Sequence, residues 1–90
     1  MDKRITLYRY SNETGRFIRE NSILVDKSLG LAMISYAFDE LTKGINKENS
    51  FFLLNVSDDI VEESVSFYAI HTNENGEIYE MTRICPKTMH

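Results

Sequence analysis

The sequence predicts an α+β domain in which an antiparallel sheet of four to five strands, in the order ββαβββ, packs on one long central helix. Three observations carry this expectation. The stretch Ile5–Tyr10 alternates and is rich in β formers, a middle segment repeats its apolar residues every three or four positions, and Asn75-Gly76 is a strong hairpin signal between two further strand-like runs.

Taken in order, Ile5–Tyr10 reads as a strand, Ser11–Gly15 as a turn with Gly15 in the left-handed position, and Arg16–Arg19 as the returning strand. From Lys27 to Lys43 the residues Leu29, Ala32, Met33, Tyr36, Ala37 and Leu41 recur at helical spacing, with Asp26 or Ser28 as cap and Gly44 as stop. Phe51–Val56 is a short buried strand, and Ser57–Glu63 a charged turn or single helical turn. Ser64–Thr72 and Glu77–Ile84 are strands joined across Asn73–Gly76. A two-residue turn there pairs His71 with Glu80 and Tyr68 with Arg83.

Composition bounds what such a chain does. Ninety residues with four Gly, one Pro and one Cys hold a single domain, 1–90, with Pro86–His90 as a frayed tail. A chain of this size buries only about 60–65% of its unfolded surface, which puts it near the lower limit for folding alone. The net charge of -4 opposes attraction to phosphate backbones and anionic membranes. Cys85 has no partner, no apolar run reaches a membrane span, and charge interrupts the first residues before a signal-peptide core forms, so the expected compartment is the cytoplasm. The Asn, Lys, Ile and Glu-rich wording of Lys43–Ser50 and Thr72–Glu77 fits an AT-rich bacterial or phage genome.

The helix carries too much apolar surface for one sheet. At 100° per residue, Leu29, Leu31, Met33, Ile34, Tyr36, Ala37, Phe38 and Leu41 fill an arc of about 220°, roughly twice what a helix on one sheet needs. Either the sheet curls around it, or Ile23–Val25 folds across it, or a second chain covers the surplus. The last reading makes Leu31 and Phe38 a homodimer interface.

Other candidates lie on the strands. Tyr68, Tyr79, Met81 and Arg83 form an amphipathic hairpin face of the kind enriched where proteins meet, while Val65, Phe67, Ala69, Ile78 and Ile84 are expected to pack on the helix. Asp58, Asp59, Glu62 and Glu63 make an acidic docking edge; they lack the ligand spacing of a calcium loop, and no metal or cofactor is expected. The basic residues Arg9, Arg16 and Arg19 lie in a first twenty residues of net charge +2, with Arg9 and Arg19 expected opposite one another. Interleaved with aromatics, they are the candidate contact for single-stranded nucleic acid.

These readings converge on a small non-enzymatic protein that acts by protein–protein binding, as an accessory, regulatory or inhibitory factor and as a homodimer. Two alternatives stand beside it. One is an RNA- or DNA-binding module using the N-terminal hairpin, which the acidic total opposes. The other is a small enzyme or ligand binder with a pocket at a dimer interface and His71–Glu80 as its acid–base pair.

Overall fold

The computed structural model describes residues 2–58 and 66–84. Strands β1 (Asp2–Ser11) and β2 (Arg16–Asp26) form a hairpin, helix α1 (Ala32–Leu41) follows, and β3 (Phe51–Asp58), β4 (Ser66–Thr72) and β5 (Ile78–Ile84) complete the chain order ββαβββ. The five strands make one sheet in the order β2-β1-β3-β4-β5, antiparallel throughout. β3 is therefore central, with two strands on either side.

One sheet face turns toward α1. Ile5 and Leu7 of β1, Val25 of β2, Phe52, Leu54 and Val56 of β3 and Ile70 of β4 close over Ile34, Ala37, Phe38 and Leu41 of the helix. These helical positions follow the i, i+3, i+4, i+7 pattern that puts one stripe on the sheet. Phe38 packs edge-to-face on Phe52 with ring centroids 5.4 Å apart. At the C-terminal end of the helix the buried Thr42 hydroxyl donates to the Phe38 carbonyl at 2.6 Å.

The helix is shorter than the periodicity predicts. Lys27–Leu29 forms a separate 3-10 turn, and Gly30 then takes φ 61 and ψ -135 before α1 begins. Residues with a Cβ avoid that conformation, so the glycine divides what the apolar spacing reads as one rod. Asp26 caps the 3-10 turn by accepting the Ser28 N–H at 2.9 Å. That bond to the Ser28 backbone holds the Asp26 carboxyl below its ordinary pKa. The 220° arc is correspondingly split, with Leu29 and Leu31 in the turn and only the stripe above in the core. Phe38, expected at a dimer interface, is 2% exposed and belongs to that core, whereas Leu31 is 87% exposed.

Two registers also differ from expectation. Ile23–Val25 does not cross the helix; it continues β2, and Val25 enters the core. Between Leu7 and Tyr8 the β1–β2 register slips by one residue, leaving Glu20 as a bulge, so that Tyr8 faces Arg19 and Arg9 faces Ile18. In the β4–β5 hairpin Asn73 and Glu77 close a three-residue loop, with the Asn73 N–H donating to the Glu77 carbonyl at 2.8 Å. A bulge at Tyr79 then restores the expected pairs His71–Glu80 and Tyr68–Arg83.

The core assignment predicts a contrast between Phe38 and Leu31. Phe38→Ala should cost about 3–5 kcal/mol in urea unfolding, as large buried aromatics do. Leu31→Ala should stay within about 0.5 kcal/mol. Equal losses for both would contradict the division made by Gly30.

Candidate functional site

Strand alternation that sends Ile5, Leu7, Phe52, Leu54 and Ile70 inward sends their neighbours to the outer sheet face, away from α1. An antiparallel sheet with one solvated face shows polar residues there. This one does not. Tyr8 and Tyr10 of β1, Phe51 and Leu53 of β3, and Phe67 and Ala69 of β4 occupy its middle.

The register collects five rings, one from each strand, into a row across this face. Tyr10 meets Phe17 with centroids 5.4 Å apart. Phe51 lies 5.1 Å from Phe17 and 6.1 Å from Tyr10. His71 stacks flat on Phe51, at 4.2 Å and 7° between planes, and Tyr79 follows 6.0 Å from His71. The outermost members remain open to solvent, Phe17 by 37% and Tyr79 by 63%. A second row, Arg19, Tyr8, Leu53, Ala69 and Thr82, and a third through Ser22, Thr6, Asn55, Phe67 and Ile84 run beside it. Within the third row the Asn55 Oδ1 is buried without a hydrogen-bond partner among the described residues. Such an acceptor costs about 1–3 kcal/mol.

The loops beneath the ring row are fixed by one side chain. Thr72, 3% exposed, sits at the end of β4. Its hydroxyl donates to the Lys47 carbonyl and accepts the Ser50 N–H at 2.9 Å, while its own N–H donates to the Ser50 carbonyl at 3.0 Å. Gly76, at φ 80, leaves room where an added Cβ would meet Lys47 Cβ at 3.4 Å. Residues 47–50 and the β4–β5 hairpin are thereby locked together. Two open depressions flank this junction, one of about 390 Å³ beside His71, Tyr79 and Asn49, the other of about 320 Å³ beside Tyr10, Phe51 and Glu48.

The sequence-derived candidates are redistributed. Tyr68 and Ile70 pack against the core, and Met81 and Arg83 share their side of the sheet. The face expected to be free is thus the inner one. Phe67, Ala69 and Ile84, expected on the helix, lie on the outer face because Phe52 pairs with Ile70 and Leu54 with Tyr68; Val65 lies outside the described residues. Tyr79 separates from Tyr68, Met81 and Arg83 because its bulge turns it toward His71. Asp58 ends β3 opposite Lys3, and Asp59, Glu62, Glu63, Cys85 and the Pro86–His90 tail lie outside the described residues.

The three arginines do not form one patch. Arg9 does not face Arg19; it faces Ile18 on the inner side, and the bulge delivers the Glu20 carboxylate to its Nε at 2.8 Å. Arg16 is opposite Ser11 beside the turn, and Arg19 alone reaches the outer face, donating to Ser22 Oγ at 3.3 Å. His71 stands opposite Glu80, as expected, but its ring is engaged by Phe51. No group of three His, Cys, Asp or Glu suited to a metal occurs among the described residues, and no helix there is long and apolar enough to cross a membrane.

The ring row is what the sequence reading missed. Its signal was the unbroken run Phe51-Phe52-Leu53-Leu54, since a strand apolar at consecutive positions needs cover on both faces. Comparison with protein-family models, curated proteins and solved structures finds no match to this chain.

The Thr72 anchor is directly testable. Thr72→Val keeps the shape but leaves the Ser50 N–H and Lys47 carbonyl without that hydroxyl, and should cost about 1–3 kcal/mol. Faster amide exchange confined to Ser50 and its neighbours would locate the loss. Unchanged stability and exchange would remove the anchor from the account.

Proposed function

We propose that this chain is a small non-enzymatic binding protein that works by protein–protein association through the outer face of its sheet, as an accessory, regulatory or inhibitory factor. The observation that carries the reading is the five-ring row from Phe17 to Tyr79 on a face over which no helix lies among the described residues. Its exposed ends, Phe17 and Tyr79, and the half-buried rings between them give an apolar surface of the kind found where proteins interact. Tyr and Phe there supply large contact area with few torsions to freeze, and the Thr72-anchored loops present them on a rigid edge.

Aromatic rings on an open sheet also serve single-stranded nucleic acid. Charge weighs against that use here. Arg9 is spent on Glu20, Arg19 is the outer-face cation of the second row, and Glu80 flanks the ring row. With a total of -4, little remains to neutralise a phosphate backbone. His71 takes its place in the row through the face of its ring, stacked on Phe51, with Glu80 opposite it as the acidic flank of the row.

The test places a photoreactive phenylalanine at position 51, and separately at position 31, in cells that make the protein. Protein adducts formed from position 51 and not from position 31 are expected. Lack of protein adducts from position 51, together with oligonucleotide binding that weakens steeply with salt, would replace this reading with the nucleic-acid one.

A further inference from the structure

We propose that the outer face is covered by the outer face of a second copy of this chain, related by a two-fold axis that runs along β3 between the two sheets. This rests on the protein-binding reading above and names its partner.

Topology makes the face self-matching. In the order β2-β1-β3-β4-β5 the alternating directions leave β1 parallel to β4 and β2 parallel to β5. Rotation by half a turn about a line along β3 therefore lays β1 over β4 and β2 over β5 of the second copy with strand directions preserved. The result is an aligned sandwich of two sheets, the arrangement in which side chains of both inner faces interdigitate across about 10 Å. Phe51 and Leu53 fall on the axis and meet their own counterparts, and Tyr10 comes over His71 of the second copy.

Charge matches under the same operation. On the outer face Arg19 lies on edge strand β2 and Glu80 on the opposite edge strand β5, one row apart along the strands. The rotation brings each Arg19 toward Glu80 of the second copy. Beyond that pair, the β4–β5 hairpin carries Glu74, Glu77 and Glu80 against Arg83, while the β1–β2 hairpin carries the basic excess. The two-fold axis makes the Arg19–Glu80 match twice.

The area suffices. Five strands at about 4.8 Å spacing and some 25 Å of strand length give a face of roughly 500 Å² per copy, or roughly 1,000 Å² for the pair, the lower bound for a specific interface. Pairing through the β5 edge is less suited, because the bulge at Tyr79 interrupts that edge.

Sedimentation equilibrium on the full chain and four variants decides the matter. The wild type should be dimeric at micromolar concentration. Leu53→Arg, which places a charge on the axis, should be monomeric with unchanged far-ultraviolet circular dichroism. Arg19→Glu and Glu80→Arg, both at strand edges where the fold tolerates charge, should each weaken the dimer about tenfold or more, and the double variant should recover it. Within one copy the two residues stand about 19 Å apart across the sheet. Recovery therefore arises only between copies. A wild type monomeric at high micromolar concentration overturns the second copy as partner and leaves the adduct test at position 51 to decide the broader reading. A dimer indifferent to Leu53→Arg, or single variants not rescued by the double one, overturns the face or the axis.

Discussion

Among the described residues one ten-residue α-helix, about 15 Å long, serves a five-stranded sheet with two faces. That disproportion shapes the rest of the structure. The helix lies chiefly against β2 and β1, and its stripe of Ile34, Ala37, Phe38 and Leu41 is used up in closing one side. β3, in the centre, nevertheless carries large apolar side chains on both sides. Its inward residues Phe52 and Leu54 are fully buried, while Phe51 and Leu53 turn, half-buried, to a side with no second layer over it among the described residues. A domain is ordinarily built from packed layers, and this sheet has a second surface composed for one.

The irregularities of the chain serve the same surface. The Glu20 bulge brings Glu20 to Arg9 as an ion pair and sets Arg19 and Phe17, rather than Glu20 and Ile18, opposite Tyr8 and Tyr10 on the outer side. The bulge at Tyr79 extends the ring row to the fifth strand, and Thr72 ties residues 47–50 to β4 directly beneath Phe51 and His71. β-Bulges are a recurrent means of re-aiming a side chain at a functional surface. Both bulges here change what the outer face presents.

The fold class and the order of elements along the chain, ββαβββ, were legible because Ile5–Tyr10, Phe51–Val56 and the Asn75-Gly76 turn are local signals, each contained within a few residues. The limits of the helix were not, because apolar spacing runs straight through Gly30 and only the backbone angle there reveals the break. The site was harder still. Which face a strand residue occupies depends on register, and a single extra residue reverses it. The Glu20 bulge separated Arg9 from Arg19, and the Phe52–Ile70 pairing sent Tyr68 inward and Phe67 outward, both set by partners distant in sequence. The Phe51–Leu54 run alone pointed to the need for cover on both faces.

The central claim is that the outer sheet face is a covered face in the working state of the protein. Hydroxyl-radical footprinting of the wild type across a concentration series tests it most directly, with Phe17 and Tyr79 as reporters and the exposed Leu31 as reference. The account predicts that oxidation of Phe17 and Tyr79 falls as concentration rises while that of Leu31 stays constant. Constant oxidation of all three residues over the whole range, with the rings reacting as freely as solvated side chains, would contradict it.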